Sequence, residues 1–173
     1  MAKLETSNFE FGTKAETLAR LAIYLRLGLL CDQEIVLLDE WESDRQAVLD
    51  LILDKFENCS LAVRSSCPFE DNHFSSAAGV FDSLMNVEPA RVPLEYAIGR
   101  VFKSYNDARA LQVLVQPMVD DVALSGVVMT RDLDTGAPYY VINYDDFSGR
   151  TDTVTGGGIS KTVIVHRVNP DAL

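Results

Sequence analysis

The sequence predicts an α+β fold: a mostly antiparallel sheet with two to three helices. Helical periodicity is concentrated in the first 105 residues, while short branched or alternating runs dominate after residue 111. Two of the late runs are joined by a tight-turn segment rather than a helix-length crossover, which favours antiparallel pairing.

From Lys14 the residues Leu18, Leu21, Ala22, Leu25 and Leu29 recur at three- and four-residue steps, so the first helix is expected to run to a stop at Gly28. EIVLL (34–38) is short and branched, hence a strand. Ser43 and Gln46 form a capping-box pattern, opening a helix through Ala47, Leu49, Ile52 and Phe56. LAVRS (61–65) and VFDSLMNV (80–87) read as strands around a polar connection. Pro93 suits the first turn of a helix that continues to about Tyr105.

Beyond that helix, LQVLVQPMV (111–119), LSGVVMTR (124–131) and PYYVINY (138–144) are strands. The last two are linked by DLDTGA, whose Asp134-Thr135-Gly136 is turn chemistry. TGGG (155–158) is a further turn before a final strand, KTVIVHRV. That strand is followed by VNPDAL, with Pro170 and Asp171 resembling the start of a connection, so residues 1–173 are expected to be one lobe of a longer protein.

With 173 residues, 47% hydrophobic and 24% charged, the chain is long enough to bury a core. A formal net charge of −11 disfavours nucleic acid or an anionic membrane as partner. Cys31, Cys59 and Cys67 show no C-x-x-C spacing, and their odd number argues against a disulfide framework or a zinc site. No signal-peptide pattern opens the chain, and Arg20 and Arg26 interrupt its most apolar early window. A cytoplasmic location is the expectation.

The connection between the strands at 61–65 and 80–87 holds the chemistry. Ser75, Ser76, Ala77, Ala78 and Gly79 leave room for backbone approach, Ser65, Ser66 and Ser83 add hydroxyls, and Arg64 offers a planar multi-donor head. Close N–H donors with fixed positive charge suit a polyphosphate. The same residues also suit a solvated loop whose arginine pairs with Glu70 or Asp71. His73 and His166, the two histidines, have no obvious catalytic setting.

Three segments in order carry a resemblance. VRSSCPFED followed by SSAAG, with FGTKAETLARL (11–21) before it and VLVQPMVDDVALSGVVMTRDLDTG (113–136) after it, resembles the phosphoenolpyruvate synthase and pyruvate phosphate dikinase family. The resemblance implies the N-terminal lobe of an ATP-grasp domain, part of a phosphotransferase using ATP and Mg²⁺. Carried over by position, it implies that Lys14 and Arg64 bind ATP phosphates and stabilise charge during transfer. Gly79, Ser83 and Leu84 would cover the phosphates, and Gln116 would sit at the nucleotide. Glu70 and Asp71 fall on the family's ED pair and would orient Arg64.

The resemblance further implies metal ligands on a second ATP-grasp lobe, and a phosphohistidine domain that passes phosphate to a small acceptor. The acceptor is pyruvate by family default. INYDDFSGRTDTVTGGG resembles a branch with amino-acid kinases such as L-glutamine kinase, which would make the acceptor an amide. Val80 and Leu133 depart from the family's glutamine and proline, so the loop and the hairpin are expected to differ in detail. A non-catalytic nucleotide-binding or interaction module is the alternative.

Overall fold

A computed structural model describes residues 9–67, 71–72, 75–76, 82–105 and 111–167. The chain forms two compact units, Met1–Met118 and Val119–Leu173. Both are α+β or β with antiparallel pairing throughout, as the sequence predicts.

The first unit contains α1 (Lys14–Leu21), β1 (Glu34–Leu37), α2 (Leu38–Ser43), α3 (Arg45–Lys55) and β2 (Leu61–Ser66). After these come the short β3 (Asp71–Asn72) and β4 (Ser75–Ser76), then β5 (Ser83–Val87), α4 (Arg91–Ser104) and β6 (Gln112–Pro117). Its four-stranded sheet has the order β1-β6-β2-β5. Strand periodicity divides the side chains between two faces. Val36, Leu61, Val63, Val87, Val113 and Val115 point to one face and join Leu49 and Ile52 of α3 and Leu94, Ala97, Ile98 and Val101 of α4 in the hydrophobic core. The register pairs Ala62 with Gln116, Arg64 with Leu114 and Ser66 with Gln112, which places these six on the opposite face.

Two helix boundaries differ from the sequence expectation. The first helix ends at Leu21, with Tyr24 N donating to Leu21 O (2.9 Å) in a tight turn. Leu25 and Leu29, which extend its apolar stripe, are exposed. An apolar pattern sustains a helix through tertiary burial, and this stripe finds none past Leu21. The cap of the next long helix is Asp44, whose side chain accepts from Ala47 N (3.0 Å), not Ser43. Ser43 instead closes α2, a six-residue helix anchored by buried Trp41, for which the sequence analysis has no element beyond Leu38 at the end of its strand.

One aromatic ties the sheet to its helices. Tyr105, just past α4 and buried, accepts from Ser66 N (2.8 Å) and donates to Gln112 O (2.6 Å). It thereby completes the β2–β6 ladder at its last pair, where the backbone groups would otherwise be short of a partner.

The second unit is a three-stranded meander of β7 (Ser125–Met129), β8 (Tyr139–Asp145) and β9 (Lys161–His166). In the β7–β8 hairpin Asp132, not only Asp134-Thr135-Gly136, makes the turn. Its carboxylate accepts from Thr135 N (2.8 Å) and Thr135 Oγ1 (2.6 Å), while Gly136 adopts φ +69°. Gly126 lies so close to β8 that a Cβ would meet Asn143 O at 2.5 Å. TGGG is a turn, with Gly158 N donating to Thr153 O (2.8 Å). His166 packs edge-on against Tyr139, ring centroids 5.1 Å apart.

Among the described residues of this unit no hydrophobic side chain is buried, and the covered residue is a polar one, Asp145. Asp145 is shielded by its own turn. It accepts from Ser148 Oγ, from Ser148 N (3.0 Å) and from Phe147 N (2.9 Å). The Ser148 hydroxyl, followed by those two backbone donors and Thr153, holds its carboxyl far below the usual carboxylate range.

Two outcomes follow. Tyr105→Phe leaves the buried Ser66 N without its acceptor and should lower unfolding free energy by about 1–3 kcal/mol in urea titrations at neutral pH. Asp145 has a depressed folded pKa, so its contribution is complete above the unfolded carboxylate range and is lost as pH falls below about 4. Asp145→Asn should therefore flatten the acid limb of stability measured between pH 5 and 2; an unaltered limb would exclude this turn as its source.

Candidate functional site

The face of the first sheet that is turned away from the core collects the polar residues. Along one cross-strand row, Ser83 of β5 pairs with Arg64 of β2, which pairs with Leu114 of β6. Gln116 stands diagonal to Arg64, opposite Ala62. The alternation of β2 thus gives Leu61 and Val63 to the core and Ala62, Arg64 and Ser66 to this face.

Helix α1 lies on the same face at its Ser66–Gln112 end. Ala15 N donates to Ser66 Oγ (3.0 Å), and Thr13 Oγ1 donates to Gln112 Oε1 (2.9 Å). Lys14, between those two anchored residues, extends its ammonium to the carbonyl of Ser65 (3.5 Å), one residue beyond Arg64. Two cations that are 50 positions apart in sequence are therefore brought to the end of one strand.

Arg64 is half-buried, and its Nε is a buried donor with no hydrogen-bond partner. Among the described residues no carboxylate pairs with it. Leaving such a donor unmet costs about 1–3 kcal/mol, more for a charged group. A protein that carries this cost at a strand position has a guanidinium ready for an anion, because an oxyanion accepts from a planar fork in two bonds.

The placement of the other predicted residues is mixed. Ser83 is exposed beside Arg64 on the same row. Leu84 pairs with Val63 and packs against the hydrophobic core, so its side chain faces away from Arg64, and backbone is what it can offer a ligand beside that residue. Gly79, Glu70 and His73 lie outside the described residues, and of Asp71 only the backbone, in β3, is described. Among the described residues no cluster of His, Cys, Asp or Glu could hold a metal ion.

Sequence reasoning missed Gln112 and the cap of α1, and it named Ser66 for its hydroxyl without the role the structure gives that group, which is to accept from Ala15 N. Thr13 and Glu16 form a full capping box: Thr13 Oγ1 accepts from Glu16 N (3.2 Å) and Glu16 Oε2 from Thr13 N (3.2 Å). The T-x-x-E spacing at 13–16 is the signal that could have located it.

The arrangement is a cationic corner backed by a sheet. The family described as pyruvate phosphate dikinase, AMP/ATP-binding domain, matches residues 33–172. The chain belongs to that family. It is thus the ATP-binding part of a PEP-utilising, kinase-type phosphotransferase family. No individual curated protein matches the chain. The match covers Arg64, Ser83 and Gln116 but begins after Lys14, whose place in the site rests on its contact with Ser65. Among the described residues no helix is long and apolar enough to cross a membrane.

Because Arg64 makes no ion pair among the described residues and leaves one buried donor unmet, Arg64→Met should keep or slightly raise the midpoint of thermal unfolding in ligand-free protein. A clear fall would mean that the guanidinium serves the fold.

Proposed function

We propose that Lys14 and Arg64 clamp the phosphates of ATP on the open face of the first sheet, with Ser83 and Gln116 beside them. The observation that carries this is the buried, unpartnered Nε of Arg64 in a chain of an ATP-binding family. The chemistry of the residues fits a polyphosphate: a planar fork on β2, an ammonium on α1 that reaches the carbonyl next to it, and a hydroxyl on the paired position of β5. Bound ATP supplies the transferable phosphoryl group. The chain's own part is to hold its oxygens, offset their charge and fix their direction, which is most of what phosphoryl transfer asks of a protein.

Gly79 is assigned to close over the phosphates, with the backbone of Leu84 in support, and Gln116 to the nucleoside end. Magnesium would be held by residues of a second ATP-grasp lobe, and the phosphoryl group would reach a small acceptor through a phosphohistidine domain. Pyruvate is the family's default acceptor, and the segment 142–158 favours an amino-acid amide such as glutamine. The working protein is then a cytoplasmic multidomain kinase.

Isothermal titration with ATP·Mg²⁺ should show Lys14→Ala and Arg64→Met each weakening affinity roughly ten-fold or more, since a charge-assisted hydrogen bond contributes about 1.5–3 kcal/mol. Equal affinity in both variants would reject the clamp. ATP consumption by the full-length enzyme with pyruvate or glutamine present then separates the two acceptors.

A further inference from the structure

We propose that Gln112 is a positioning residue that holds Lys14 at its working place, an inference that rests on the phosphate role given to Lys14 above. Gln112 opens β6, is 9% exposed, and stands 99 positions from its partner Thr13. Its amide is used at both ends. Oε1 accepts from Thr13 Oγ1 (2.9 Å), and Nε2 donates to Glu16 Oε1 (3.1 Å).

Thr13 and Glu16 are the two halves of the capping box of α1, so Gln112 closes a ring around the helix's first turn. A capping box satisfies its own backbone donors without a third residue. What the third residue adds is a fixed position of that turn relative to β6. Lys14 is the first residue of α1, inside the ring, and Ala15 N is held by Ser66 Oγ on its other side. An isolated eight-residue helix is marginal in water, so α1 takes its position from such contacts.

The side-chain identity is specific. The site needs an acceptor toward Thr13 and a donor toward Glu16, and a primary amide carries both. Glutamate would face the carboxylate of Glu16 with no donor, and leucine would leave both partners unmet.

The test is Gln112→Leu in the full chain, with Gln112→Met, which keeps the side-chain length without the amide and leaves the Thr13–Glu16 cap intact, should the first variant fail to fold. Amide hydrogen exchange at residues 15–18 should accelerate roughly ten-fold, while amides of β2 and β6 keep their protection. ATP affinity should fall several-fold, and that fall should vanish in the Lys14→Ala background but persist with Arg64→Met. A fall that persists in Lys14→Ala, or unaltered exchange in α1 for both variants, overturns the inference. If Lys14→Ala itself leaves ATP affinity unchanged, the phosphate clamp fails, and exchange in α1 decides the positioning role on its own.

Discussion

Ser66 and Gln112 face each other at the last pair of the β2–β6 ladder, and much of the first unit is attached to that pair. Their backbones bind the hydroxyl of Tyr105, which fixes the end of α4 against the sheet. Their side chains bind Ala15 N and Thr13 Oγ1, which fixes the start of α1 on the other face. One register pair therefore locates a core helix through main-chain groups and the helix that carries Lys14 through side chains. Both residues are buried, so each of these groups has to find its partner within the protein.

The two-residue period of a strand lets one segment serve both purposes. In β2, Leu61 and Val63 supply core area while Ala62, Arg64 and Ser66 build the open face, without either set disturbing the other. The same split explains why Leu84 and Ser83, adjacent in sequence, have different surroundings: one packs on the core and one stands beside Arg64. It also explains how an unmet donor is tolerated. The cost at Arg64 Nε falls on a face that buries little apolar area beyond Leu114 and Ala62, whereas the main hydrophobic cluster lies on the opposite side of the sheet.

The elements legible in the sequence were those whose signal is local. Val113 and Val115 alternate with polar or differently directed neighbours, Pro93 marks a helix start, and Gly136 marks a turn; each lies where the pattern placed it. The first helix was overread because Leu25 and Leu29 continue its spacing, and spacing carries no information about whether a surface waits to cover them. Helix α2 was underread because six residues are too few to show a period. For the site, Arg64 stood out by its polar, small-residue neighbourhood, and the approach of Lys14 to the next carbonyl is visible only in the folded chain. Gln112 gave no signal at all: a glutamine at a strand start is unremarkable until Thr13 and Glu16 are folded onto it.

An anion held at Lys14 in a chain of net charge −11 would require that nearby carboxylates be committed elsewhere. Glu16 is the acid closest to Lys14 along α1, and both of its oxygens are occupied. Oε1 accepts from Gln112, Oε2 accepts from Thr13 N, and Arg20 lies 3.6 Å from Oε2. A carboxylate held by several donors is a weaker competitor for a neighbouring ammonium than a free one, because its lone pairs and its charge are already compensated. The contacts that dock α1 on β6 thus also compensate the charge of the acid nearest to Lys14 along that helix. Geometry and electrostatics at this corner come from one set of hydrogen bonds, which is why a neutral glutamine, charged neither for nor against the ligand, suits the position.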